Sequence, residues 1–392
     1  MLSECTWSEA RTISQKSFEK LSAEEVSLSK SNQRVLATEQ ISHCDLPAYD
    51  TSGMDGWVTA GIGPWNIVGE IKMGTLPNGV LRAGECMKIA TGGVIPVGGE
   101  AVIAWEVAAQ VAGKIAGEPS LSSHIRPAGT ECKKGERILD QGVRINSSMI
   151  GLLAATGHDL VSVTKKPKVA LFFLGDELLH HGIPMGGSIR DSLGVQLPSI
   201  LESLGAEVLS AEFIADNLEE LIVSAKSALE NADVIITTGG TADGPRDFIQ
   251  PAIANLKGEY LIDRVKVRPG YHVLLAKVTK ITSLEAAIPL LALPGNPQSA
   301  LAAFFSFGRP LINSLLGINA QTRLTVELAE EMTTQPNYSR LVPGSVSANR
   351  FSPAKYLGSA MLRGVVESSG FALLAPGINP AGSTVEFIAF PW

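Results

Sequence analysis

The chain has 392 residues, a formal net charge of −7 and 45% hydrophobic residues, which predicts roughly two to three domains with cores of their own. The acidic balance and the lack of a dense Lys/Arg run exclude a general nucleic-acid binder, while a small anionic ligand held by local basic residues stays open. Cys5, Cys44, Cys86 and Cys132 show no CxxC pair and no His at zinc-ligand spacing, so neither a disulfide framework nor a structural zinc site is expected.

The start, MLSECTWSEAR, carries acids where a signal peptide needs basic residues. The least charged stretch, Ala286 to Gly308, is broken by Pro289, Pro294 and Pro297, which a membrane span tolerates poorly. A cytoplasmic protein is expected. Residues 1–48 read as helix and connector, with Trp7, Ala10, Ile13 and Phe18 on one face and a second helix near Ser22 to Ser29. From about residue 49 to 140, short apolar runs cut by glycine (GWVTAG, WNIVGEI, ECMKIATGG, EAVIAWEVAAQVAG) predict a β-rich insertion. Within it, Asp55 between two glycines and Thr91-Gly92-Gly93 read, by themselves, as tight turns. IGLLAATG at 150–157 predicts a short helix, so 1–48 and 141–166 form one helical and linker domain around the insertion.

A new domain, 167–317, opens on the strand Lys168 to Leu174, which closes on Gly175-Asp176-Glu177-Leu178. Asp191 or Ser192 can cap a helix carrying Val195, Ile200, Leu201 and Leu204. The strand at 207–211 is followed by a helix with Leu218, Leu221, Ile222, Ala225, Ala228 and Leu229 on one face, introduced by an Asp216/Glu219 capping box. Ala232 to Asp247, ADVIITTGGTADGPRD, is the stretch that most resembles a ligand loop: a buried parallel strand runs into Gly239-Gly240 and then into charges of both signs. The strand 289–293 ends in Pro294-Gly295-Asn296-Pro297, with Asn296 as N-cap of a helix burying Leu301, Phe304, Phe305, Leu311 and Ile312 and bending at Pro310. Strands alternating with helices predict a doubly wound, mostly parallel sheet with its ligand crevice at the carboxyl ends of the strands. Residues 318–392 read as a small C-terminal β domain, barrel-like in its run of short strands.

Glycine-rich strand exits at helix starts suit phosphate. Asp176, Glu177, Asp243 and Asp247 in the same loops would repel it unless a hard cation such as Mg²⁺ lies between. Arg190, Arg246, Lys266 and Arg268 could meet phosphates or only these acids, and His180-His181 reads as exposed loop. No GxxxxGK[ST], dinucleotide fingerprint, GxSxG or HExxH occurs.

Six segments in one order over about 250 residues resemble the molybdopterin molybdotransferases, the MoeA-like proteins that include the E domain of gephyrin. SGMDGW at 52–57 is similar to S-A-M-D-G-Y, and IATGGVIPVGGEAVIAWE at 89–106 to T-G-A-x-x-P-x-G-A-D-A-V-V-x-x-E. Arg126-x-x-Gly129 is similar to R-x-x-G-x-D, with Glu131 in place of the Asp. VALFFLGDEL, DVIITTGGTADGPRD and LPGNPQSA match V-x-x-x-x-T-G-D-E-L, T-x-G-G-x-S-x-G-x-x-D and L-P-G-N-P-x-S-A.

The resemblance implies an α/β multidomain protein with a MogA-like sheet domain, which inserts molybdate into adenylylated molybdopterin and releases AMP, with Mg²⁺ assisting. It implies a homodimer whose cleft is shared between subunits. It makes Asp55, Glu177 and Asp247 catalytic acids, with Asp247 and Glu177 toward the metal. It places Thr91, Gly92, Asp176, Ser192, Gly239, Gly240, Thr241, Arg268, Pro294, Gly295 and Asn296 at the substrate. The chain departs from the pattern where P-G-K-P reads Pro269-Gly270-Tyr271-His272, where D-S-N reads Asp191-Ser192-Leu193, and where the G-G-x-S serine is Ala242. A weakened paralogue acting as a pterin-binding or scaffolding protein, and an adenylyltransferase, are the alternative readings.

Overall fold

The computed structural model describes residues 4–242, 244, 247–280, 283–319 and 323–392; Asp243 and Arg246 lie outside the described residues. It divides into two compact units, one of residues 25–32 and 38–162, the other of residues 1–24, 33–37 and 163–392.

The second of these begins with α1 (Trp7–Lys16), held by a capping box in which Thr6 and Glu9 satisfy each other's backbone N–H groups. The second helix expected near Ser22 to Ser29 does not form. Ala23–Ser27 is a strand and Leu28–Lys30 a single 3₁₀ turn, because so short a run cannot sustain a helix by propensity and takes the conformation its surroundings impose.

The smaller unit is built on β1 (Gly56–Thr59), β2 (Trp65–Glu70), β3 (Glu85–Ile89), β4 (Ala101–Ala104), β5 (Ala109–Val111) and β6 (Lys114–Ala116). They form one sheet in the order β4-β1-β3-β2-β6-β5. Val58, Ile89 and Val102 are buried in one apolar cluster and Trp65, Cys86, Ile103 and Ile115 in another. The unit also holds α2 (Ser147–Ala155), which Asn146 caps.

In the larger unit the alternation of strand and helix is β7 (Lys168–Leu174), α3 (Leu193–Ser203), β8 (Glu207–Ile214), α4 (Leu218–Asn231), β9 (Val234–Thr238), α5 (Ile249–Asn255), β10 (Glu259–Asp263), β11 (Leu274–Lys280), β12 (Ser283–Leu293), α6 (Pro297–Ala303) and α7 (Arg309–Leu315). The sheet order is β8-β7-β9-β12-β11-β10. The first four strands are parallel and the last two antiparallel. Successive residues of β7 go to opposite faces: Val169, Leu171 and Phe173 pack with α3, α6 and α7, while Ala170, Phe172 and Leu174 pack with α4 and α5. Burial on both faces is why β7 reads as a nearly unbroken apolar run and β9 opens on Val234-Ile235-Ile236.

Three local expectations change and one choice is resolved. Asn217, not Asp216, caps α4, accepting from the N–H groups of Glu219 and Glu220. Of the two residues expected to cap α3, Asp191 does so through Leu193 and Gly194 N–H. Val195 of that helix is exposed, since it falls between the buried positions Leu193, Leu197, Ile200 and Leu201. The last helix changes pitch over a π-helical segment, Phe304–Gly308, ahead of Pro310.

The C-terminal strands β13 (Leu324–Leu328), β14 (Ser339–Ser347), β15 (Arg350–Pro353), β16 (Gly370–Leu374) and β17 (Thr384–Ala389) pair in the cycle β14-β15-β13-β17-β16-β14. That cycle closes a small barrel and removes its edges. The short strand Val267–Arg268 adds to β14 in parallel.

Candidate functional site

In the larger unit three strand exits meet at the carboxyl edge of the sheet. Gly239 follows β9 with φ +85°, and a Cβ there would lie 2.7 Å from the carbonyl oxygen of Leu174, the last residue of β7. A Cβ on Gly295, which follows β12, would lie 3.4 Å from the Gly239 Cα. The Gly239 N–H donates to Leu293 O at 3.0 Å. Residues from three separated segments are therefore adjacent, with glycine where backbone approaches backbone. Gly240 continues the turn with φ +63°, and Thr241 is buried.

The acids of these loops divide by what they already hold. Asp247 accepts Ala242 N–H at 3.2 Å on one oxygen and Gly244 N–H at 2.6 Å on the other, folding its own loop. Asp176 accepts the Asp216 N–H at 3.1 Å and so ties its turn to the start of the α4 region. Glu177 is exposed and curls back over Gly175, both carboxylate oxygens 2.8 Å from where a Cβ would stand. Ser192 stands at the N-cap position of α3 without a side-chain capping bond. Asn296 does the same for α6, exposed and followed by Pro297, while Pro294 is buried. Leu193, where the resemblance has an asparagine, is core. His180 packs on Phe213, 3.6 Å between ring centroids, and among the described residues no group of three or more His, Cys, Asp or Glu could enclose a metal.

A second feature of this unit was not legible in the sequence. Arg268 and Arg340 are Cα partners in the parallel pairing of Val267–Arg268 with β14. They line a cavity of about 330 Å³ with Thr333, Thr334, Tyr338 and Ser339. The Arg268 guanidinium lies 4.8 Å from the Tyr338 ring centre and 5.7 Å from that of Tyr271. Among the described residues no carboxylate pairs with either arginine. Like charges opposite one another across strands are unfavourable until an anion enters between them.

In the smaller unit Asp55 and Thr91 meet. One Asp55 oxygen accepts both the Thr91 N–H, at 2.6 Å, and the Thr91 hydroxyl, at 2.8 Å. The Thr91 backbone bond and then its hydroxyl bond hold the Asp55 carboxyl below the usual carboxylate range. Gly92 donates its N–H to Ser52 O at 2.8 Å, closing the two turns on each other. Asp55, Thr91 and Gly92 thus form one local cluster.

Among the described residues no helix is long and apolar enough to cross a membrane, and all four cysteines are free. Residues 5–157 match the family description "MoeA N-terminal region (domain I and II)" and residues 170–314 match "Probable molybdopterin binding domain". The chain is 32% identical over 307 residues to the molybdopterin molybdenumtransferase of Nostoc sp., covering 75% of this chain and 69% of that one. It is 28% identical over 373 residues to the protein of the same name from Staphylococcus aureus, covering 92% and 84%. In fold it is similar to a molybdopterin biosynthesis moea protein from Pyrococcus horikosii, with TM-score 0.83, 24% identity and 99% of each chain covered.

Proposed function

The chain belongs to the molybdopterin molybdenumtransferase family, and from that premise we propose that it inserts molybdate into adenylylated molybdopterin, releasing AMP and forming molybdenum cofactor. The observation that carries the reading to this chain's own residues is the pair Arg268 and Arg340, opposite each other with hydroxyls of Thr333 and Ser339 around them. Two guanidinium groups and hydroxyl donors suit a tetrahedral oxyanion such as molybdate or a phosphate.

The glycine exits at Gly239, Gly240 and Gly295 let the phosphates approach the main chain, and Asn296 keeps an amide free of capping for the same ligand. Asp55 is a weak base, since its pKa is lowered; its part is to hold a donor group or a water by a fixed negative charge, not to remove a proton. Glu177 and Asp247 would hold Mg²⁺. Two carboxylates make no closed cage, and Asp247 already accepts a backbone N–H on each oxygen, so such an ion would keep waters and take its other oxygens from substrate phosphates. When bound, Mg²⁺ supplies positive charge against the phosphate oxygens. The reading includes a cytoplasmic location and a homodimer in which the Asp55 cluster of one subunit serves the strand exits of its partner.

The test is turnover of adenylylated molybdopterin by purified protein with molybdate and Mg²⁺, following AMP. AMP release that depends on molybdate is expected. Ligand binding without AMP release would point instead to a scaffolding role, and ATP-dependent formation of the adenylylated pterin to an adenylyltransferase.

A further inference from the structure

β1 lies between β3 and β4, Gly56 facing Ile89 on one side and Ala104 on the other. The Trp105 N–H donates to the Asp55 carbonyl at 3.2 Å. This bond carries the β1–β4 ladder one pair past Gly56 and Ala104, so Asp55 and Trp105 are cross-strand neighbours. Both residues lie just past the strand ends, Asp55 in a bend and Trp105 at the start of a turn in which Val107 and Ala108 N–H donate back to Ala104 O. Trp57 and Ile103 are themselves partners, and Asp55 and Trp105 adjoin that pair through the backbone bond at the end of the sheet. Lys88, the partner of Trp57 in β3, sets the indole over the Trp57 face, its Nζ 5.3 Å from the centre of the Trp105 ring and 3.4 Å from Glu70.

Trp105 is 46% exposed, although its neighbours Trp57 and Ile103 help form an apolar cluster. Both Thr91 bonds fall on the same Asp55 oxygen, Oδ1, so Oδ2 is the atom left for a ligand. A flat open ring beside an acceptor that cannot donate asks for a flat ligand with N–H groups along its edge. A phosphate would meet the carboxylate, and an apolar protein surface would have to bury it.

We propose that Trp105 and Asp55 bind a planar, fused nitrogen heterocycle bearing an exocyclic amino group, the ring stacked on the indole and its N–H edge donating to Asp55 Oδ2. The identity of the ring rests on the function proposed above, in which the substrate carries two such rings, the pterin and the adenine.

The experiment is calorimetric titration of the full chain with AMP and, separately, with pterin, together with AMP-release kinetics. One of the two probes is expected to bind. Trp105→Ala should weaken it roughly tenfold, the scale of losing one base–aromatic stack, and should raise KM for the adenylylated substrate with kcat changed less than about twofold. Trp105→Phe, which keeps a ring, should retain most of the affinity and guards against misfolding of the alanine variant. Trp105→Ala binding both probes as the wild type does would overturn the proposal, as would a variant that alters only the sedimentation of the protein. Ring binding lost in Trp105→Ala, with wild-type protein that releases no AMP, would leave this inference standing and the proposed activity refuted. Normal KM in Trp105→Ala would do the reverse.

Discussion

Gly239→Ala tests whether the three strand exits are fixed by backbone contact. An alanine at φ +85° bears the left-handed penalty of about 1–2 kcal/mol. Its Cβ would also stand 2.7 Å from Leu174 O, a backbone atom of a buried strand that cannot rotate away, and relief of such overpacking costs about 1–3 kcal/mol. Gly187 separates the two effects: its φ is +91°, yet nothing lies within 4 Å of a Cβ there, so Gly187→Ala carries only the first penalty. The difference between the variants is then about 1–3 kcal/mol, or on the order of tenfold or more in an opening equilibrium. A chain of two units need not unfold in one step. The assay is therefore native-state hydrogen exchange read on peptides covering Lys168–Leu174 and Val234–Thr238, which reports opening locally. Exchange in Gly239→Ala within twofold of that in Gly187→Ala would refute the claim that these exits are pinned.

The Asp55 carboxyl, held low by Thr91, should titrate below the ordinary Asp range in a carbon-detected NMR titration, and Thr91→Ala should move it up. The stability this shift contributes is present above the unfolded-state pKa and is lost as pH falls through the folded value. Arg340→Ala should weaken molybdate binding by about 1.5–3 kcal/mol in calorimetry while leaving the ligand-free protein no less stable, since a like-charge pair is relieved; a drop in ligand-free stability would contradict the unpaired reading. Asp191→Ala should cost α3 about 1–2 kcal/mol, seen as faster amide exchange at Leu193 and Gly194, and Asp191→Asn, which keeps one oxygen acceptor, should cost less. Mixing Asp55→Asn with Glu177→Gln, each inactive alone, should restore part of the AMP release if subunits share a site, and no restoration would remove that part of the proposal.

The elements legible in the sequence are those whose pattern is local. β7 and β9 are buried at nearly every position because both faces are covered, which leaves apolar runs such as Val169 to Leu174 and Val234 to Ile236, and α4 shows Leu221, Ala225 and Leu229 one turn apart and buried. Capping was harder to read because the choice among neighbouring acceptors is made by backbone geometry: Asp216, Asn217 and Ser192, Asp191 are chemically alike as sequence, and only one of each pair faces free N–H groups. The contact of Asp55 with Thr91 spans 36 residues. It follows from the pairing of β1 with β3, which no spacing rule announces. Arg340 is harder still, a single arginine in a β strand whose meaning appears only when register sets it against Arg268.

That pairing also changes how the departure at Tyr271 is to be weighed. Read along the chain, a tyrosine where the pattern has lysine removes a cation from the loop. In the fold the Tyr271 hydroxyl donates to Glu4, a bond that raises the phenol's pKa and keeps it neutral. Its ring stands with Tyr338 beside the Arg268 guanidinium, and the two rings meet edge to face, 5.8 Å between centroids. Position 271 therefore contributes a neutral aromatic wall that steadies Arg268, and the cavity has its second positive charge from β14 instead. A lysine restored at 271 would add a third cation to a pocket in which two already oppose each other. Tyr271→Lys should thus lower the stability of the ligand-free protein and make anion binding steeper in its dependence on salt. If it left both unchanged, Tyr271 would not be part of the arginine pocket's electrostatics.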